Sequence, residues 1–129
     1  MIPLFLALLA AHYVADFPLQ SSTISKFKGM VFFEAIGFHC LTSHAIIHAG
    51  MAGLVAALLG FPWVWPFLAV GITHWVLDFC KSWRGFDGCL RLTQGAREPP
   101  QECGLWGINV DQALHVGVLA AVALGLVLL

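Results

Sequence analysis

Apolar residues along this chain fall into four long runs, at about 2–18, 31–59, 63–81 and 106–129. At about 1.5 Å of helix per residue each is read as a helix crossing an apolar layer of about 30 Å, the first at the lower limit of length. Pro3 is harmless in a first turn, whereas Pro18 ends or kinks the first run because it lacks an N–H and crowds the residue before it. The polar connection 19–30 offers Ser21, Ser22, Thr23 and Ser25 as helix caps and Gly29 as a turn. Part of it reads as a short amphipathic piece in which Ile24 and Phe27 dip while Lys26 and Lys28 snorkel to water. The last third of the second run has a small-residue surface, Ala49, Gly50, Ala52, Gly53, Ala56 and Ala57, that permits close helix contact. Gly60, Phe61 and Pro62 then make a tight turn. Trp63 and Trp65 fall where an aromatic belt is expected, and Trp83 belongs to the opposite interface. The stretch 82–104, with Pro99 and Pro100, is polar and has no periodicity.

Composition decides the solvent of these helices. Of 129 residues 60% are hydrophobic and 10% charged, against about 25% charged in a soluble domain. The expected fold is an all-α integral membrane four-helix bundle, one transmembrane domain over 1–129. All six positive charges, Lys26, Lys28, Lys81, Arg84, Arg91 and Arg97, lie in or beside 19–30 and 82–104. By the positive-inside rule these are cytoplasmic loops, both termini lie on the non-cytoplasmic side, and the location is the cell inner membrane, multi-pass. Membrane lipid is the expected partner, and assembly into a homo-oligomer is compatible with the pattern. Nucleic acid is not expected, because no folded basic patch with interleaved aromatics is present. The first run lacks the basic start of a signal peptide and carries His12 and Asp16, so it is kept as a transmembrane helix. Cys40 and Cys80 read as small hydrophobes, and Cys89 and Cys103 as reduced cytoplasmic thiols.

The polar residues inside the apolar runs come in pairs four apart: His12 with Asp16, His44 with His48, His74 with Asp78, and Asp111 with His115. Positions i and i+4 share a helix face. With helices alternating in direction, all four pairs fall in the cytoplasmic half of the bundle. Ionisable groups at that depth face the bundle interior and find partners, and inward-facing His and carboxylate side chains are how bundles build metal sites. The candidate ligands are therefore His12, Asp16, His44, His48, His74, Asp78, Asp111 and His115. Eight exceed the needs of one ion; they suit two ions with a bridging Asp, or one ion with carboxylates orienting its imidazoles. His39, five before His44 and so about 140° round the helix, is outside the set. Lys81, three beyond Asp78, either pairs with it or attracts an anionic head group. Gln20 is placed at the mouth of the site, and Gln112 points elsewhere.

The stretches HYVADFPLQ at 12–20, SHAIIH at 43–48, HWVLDFCKS at 74–82 and DQALH at 111–115 resemble the DUF3307 family of small bacterial and phage-encoded membrane proteins. The resemblance runs over nearly the whole chain, with the four motifs in order. It implies one functional set that includes Gln20, Lys81 and Gln112 and supplies no reaction. A looser similarity to membrane-embedded families of metal-dependent hydrolases is one of fold and motif only. The expected function is a metal-dependent membrane-embedded hydrolase acting on a phosphoester of a lipid-associated substrate. Asp78, Asp111 and Lys81 would be catalytic, and Gln20 and Gln112 would contact substrate or second-layer groups. The cofactor would be a divalent ion, zinc first, with iron or manganese also suited to the donors. Two alternatives stand beside it: a proton or ion channel or transporter using the same cluster, and a small structural or phage accessory membrane protein.

Overall fold

The structure, a computed structural model, describes residues 1–31, 34–82 and 105–128, with side chains of the last helix from Val110 onward. Cys89, Cys103, Trp83 and the three arginines lie outside the described residues.

The described residues are all-α and form five helices: α1 (Ile2–Asp16), α2 (Ser22–Phe27), α3 (Ala35–Leu58), α4 (Val64–Ser82) and α5 (Leu105–Leu128). Helix α1 carries Pro3 in its first turn, where a missing N–H is no loss. It stops at Asp16, short of the expected 18, because Pro18 has no N–H to continue the ladder and crowds Phe17, the C-cap. The polar connection contains a helix of its own. Ser21 caps α2 by accepting a hydrogen bond from the Ile24 N–H at 3.2 Å.

The backbone after α2 crosses the first turn of α3 at Gly37. A Cβ there would lie 2.5 Å from the Met30 carbonyl carbon, so only glycine allows the crossing. Helix α3 starts at Ala35, with Glu34 at its cap position, rather than near 31. It ends in a Schellman motif, in which Phe61 N–H donates to Ala56 C=O at 2.9 Å and Gly60 N–H to Ala57 C=O at 3.1 Å. Gly60 has φ +80°, which a side chain would resist.

Helix α4 returns along α3, the largest helix contact in the fold. The approach is close because the seam is lined by small residues: a Cβ on Gly71 would lie 3.0 Å from Ala49 Cβ, and one on Gly53 3.3 Å from Phe67 Cβ. Gly50, grouped with that surface from the sequence, has nothing near its Cβ position and faces outward. Trp75 Nε1–H donates to Thr42 Oγ1 at 3.2 Å across the same seam. Helix α5 then packs against α4 and α1.

The buried interior divides into two regions. At one end, Leu4 and Leu8, Ala52 and Ala56, Val70, and Leu119 to Leu126 form a wholly apolar cluster. At the other, the helices turn His12, His44, His48, His74, Asp78 and His115 inward. Among the described residues two helices, Ala35–Leu58 and the Val110–Leu128 part of α5, are long and apolar enough to cross a membrane; α1 is apolar but has only 15 residues. Their outward faces expose Leu54, Leu58, Leu124 and Leu128. Such surfaces suit lipid contact and support a membrane-associated location.

Candidate metal centre

Each of the four long helices contributes one inward pair. Because i and i+4 stack on a helix face, the second member of each pair lies one turn from the first. His12 Nε2 is 3.2 Å from Asp16 Oδ2 within α1, and His74 Nε2 is 3.6 Å from Asp78 Oδ2 within α4. In α5, His115 Nδ1 is 3.7 Å from Asp111 Oδ1. Antiparallel packing then brings the pairs together. His44 and His48 of α3 reach Asp16 Oδ1 of α1 at 3.4 and 3.3 Å, and His44 is 3.6 Å from Asp78 Oδ2. His115 Nε2 closes the ring at 3.9 Å from Asp78 Oδ1.

Five imidazoles are therefore packed against two carboxylates. His48 and His74 stack with ring centroids 3.7 Å apart, and His74 and His115 lie 4.3 Å apart. His12 touches His48, His74 and His115 at centroid distances of 4.7 to 5.6 Å. All five rings are buried, His44 completely.

The proton arrangement can be read at two of the rings. His115 Nδ1 is 2.8 Å from the Asp111 carbonyl oxygen, which can only accept, so Nδ1 carries the proton. Its Nε2 then presents a lone pair toward the cluster, and that atom is buried with no hydrogen-bond partner. This is the arrangement that orients metal-ligating histidines. At His44, Lys28 Nζ approaches Nε2 to 2.9 Å; an ammonium can only donate, so this Nε2 also presents a lone pair. His12 Nε2, His74 Nε2 and Asp78 Oδ2 are buried without a hydrogen-bond partner as well; their carboxylate and imidazole neighbours are near but poorly aligned. Buried polar atoms left unpaired are costly, and a cation at their centre would satisfy several at once.

Among the described residues two overlapping donor sets emerge: Asp16, His44, His48 and His74 in one, and His74, Asp78 and His115 in the other, with ligand atoms in each within 4.8 Å of one another. The buried His/Asp cluster can thus coordinate a divalent metal ion. Neither His12 nor Asp111 belongs to these sets. His12 lies against Asp16, and Asp111 is held by Lys81, whose Nζ donates to Asp111 Oδ2 at 2.7 Å.

The family described as a protein of unknown function, DUF3307, matches residues 4–129. The chain belongs to the DUF3307 family. No curated protein and no solved structure matches it. Every DUF3307-like motif residue named from the sequence therefore lies within the matched span.

Other polar residues divide between the rim and the surface. Lys81 pairs with Asp111, one of the partners the sequence did not single out for it. Gln20 accepts a hydrogen bond from Lys28 Nζ at 2.8 Å. Gln112 Oε1 is buried without a partner. His39 is exposed on α3 and takes no part. Cys40 and Cys80 are free thiols, and Cys40 Sγ faces the Thr23 carbonyl at 3.9 Å.

Lys28 is the residue that sequence reasoning misplaced. Its expected partner was water at the interface; instead its ammonium enters the cluster, touching His44 and Gln20 and lying 3.7 Å from Asp78 Oδ2. Lys26, two positions earlier, does stay exposed. The one available signal was the position of Lys28 beside the turn at Gly29, at the end of the loop that begins just after Asp16.

Proposed function

We propose that this DUF3307 protein is a metal-dependent hydrolase embedded in the cell inner membrane, acting on a phosphoester of a lipid-associated substrate. In this reading residues 1–129 form one transmembrane domain. Helices α1, α3, α4 and α5 are its four spans, and the centre opens toward the cytoplasmic leaflet. The distribution of lysine and arginine supports that orientation, with both termini on the non-cytoplasmic side.

The observation that carries the proposal is the convergence of buried imidazoles from four helices on the carboxylates of Asp16 and Asp78, with Nε2 of His12, His74 and His115 left without a hydrogen-bond partner. Nitrogen and carboxylate donors suit zinc, and also iron or manganese. Asp16, His44, His48 and His74, with Asp78 and His115, would hold a divalent ion, which would supply Lewis-acid charge to activate water. Asp78, with Oδ2 lacking a hydrogen-bond partner, accepts the proton released when water adds to phosphorus and the ester P–O bond breaks. The Lys81 ammonium, fixed by Asp111, offers positive charge to the departing oxygen. Gln20 and Gln112 supply amide groups at the edge of the site.

A conducting pathway built from the same residues would need polar groups through to the opposite end. There the helices meet in the apolar cluster of Leu4, Leu8, Ala56, Val70 and Leu126, so the enzyme reading is preferred.

Elemental analysis of detergent-purified protein tests the proposal. One or two equivalents of transition metal in the wild type, lost in His74→Ala, justify a screen of phosphoester substrates. Wild type purified without chelator that is folded, monodisperse and free of metal overturns it.

A further inference from the structure

Lys28 lies just past α2, and its side chain, about 25% exposed, leaves the loop to meet the donor sets. Its ammonium donates to Gln20 Oε1 at 2.8 Å and to His44 Nε2 at 2.9 Å, with Asp78 Oδ2 at 3.7 Å. His44 belongs to one donor set and Asp78 to the other. The single cation therefore touches both.

His44 Nε2 has one lone pair, and it cannot serve an N–H donor and a metal together. A divalent ion taking that lone pair would also stand close to the ammonium, where like charges repel strongly out of bulk water. The lysine stem is long and flexible. Gln20, its third contact, belongs to neither donor set and is partly exposed, so the ammonium has a partner to keep as it withdraws.

We propose that Lys28 is a specificity-determining residue for the centre: a tethered cation that competes for His44 and Asp78 and must be displaced before a metal ion is held there. Displacing one bound positive charge is offset by a divalent ion far better than by a monovalent one, so Lys28 selects for divalent cations. Loop 19–30 thereby gains a second role, carrying the competitor in and out. The inference rests on the metal-centre reading, and the experiment separates the two.

Zinc affinity is measured on the detergent-purified full chain by competition with a chromophoric chelator, for wild type, Lys28→Met and Lys28→Arg. Lys28→Met should bind zinc about tenfold more tightly or better, the equivalent of one charge-assisted hydrogen bond no longer given up. Lys28→Arg, which keeps the charge, should not gain. Equal or weaker binding by Lys28→Met, with zinc held by the wild type, overturns the competition and leaves the metal centre standing. Zinc bound by neither protein overturns both.

A second measurement needs no variant. An amine-reactive ester is applied to wild type with and without zinc, and the modified peptides are quantified, with exposed Lys26 as internal reference. Zinc should speed the labelling of Lys28 relative to Lys26 several-fold; an unchanged or slower rate overturns the displacement.

Discussion

Lys81 Nζ on α4 and Asp111 Oδ2 on α5 stand 2.7 Å apart, joining the two helices that flank the 83–104 stretch. The lysine side chain is about 37% exposed, so the pair is screened and its contribution to stability is about 1 kcal/mol or less. Lys81→Met should therefore leave folding and metal content near wild type while lowering turnover of a phosphoester substrate. Equal loss of metal and activity in this variant would assign Lys81 a structural role instead.

His74 is common to both donor sets, whereas His115 belongs to one. His74→Ala should bring the metal content near zero, and His115→Ala should retain an ion in the set formed by Asp16, His44, His48 and His74. Metal-to-protein ratios by mass spectrometry read the difference. The opposite order of loss would locate the ion nearer to Asp78 and His115.

Metal removal should be visible in stability, since an ion bound only by the folded chain stabilises it by mass action, by about 2.7 kcal/mol at a free concentration one hundred times Kd. Chelator should lower the thermal midpoint of the wild type and leave that of His74→Ala unmoved. A midpoint that ignores chelator in both proteins would argue against a bound ion.

Gly37 has the Met30–Val31 backbone at 2.5 to 2.7 Å from its Cβ position, and backbone cannot swing aside as a side chain can. Gly37→Ala should lift the crossing segment from α3 and carry Lys28 away from His44. Faster hydrogen exchange over 22–31, with 38–58 unchanged, is the expected result.

Gly71 meets the Cβ of Ala49, whose side chain has no further atom to move. Gly71→Ala should force α3 and α4 apart at a cost of about 1–3 kcal/mol. Unfolding in a denaturing detergent measures it, and Gly50→Ala, with open space at its Cβ position, serves as the neutral comparison.

Much of the centre was legible because helical periodicity is a local property. His12 and Asp16, or His74 and Asp78, share a face whatever else the chain does. The end of α1 was marked by Pro18 and the α3–α4 turn by Gly60, both backbone effects that act within a few residues. Lys28 was not legible. Lys26 and Lys28 have the same chemistry and nearly the same neighbours in sequence; Lys26 in α2 stays exposed, whereas Lys28 at its C-cap reaches His44 on α3.

The partner of Lys81 was likewise not legible along the chain, where Asp78 three residues earlier or an anionic head group was expected. Distance settled it in favour of Asp111. The sequence by itself determined the helical class, four apolar runs of which two form helices of membrane-crossing length, and the shared face of each pair of polar residues, because these follow from 3.6-residue periodicity and apolar content. Only the tertiary structure decided that His74 is shared by two donor sets, that His12 and Asp111 stand beside them, and that the Lys28 ammonium reaches His44. Those relations depend on ångström-scale separations between atoms of different helices, which packing sets and local sequence does not encode.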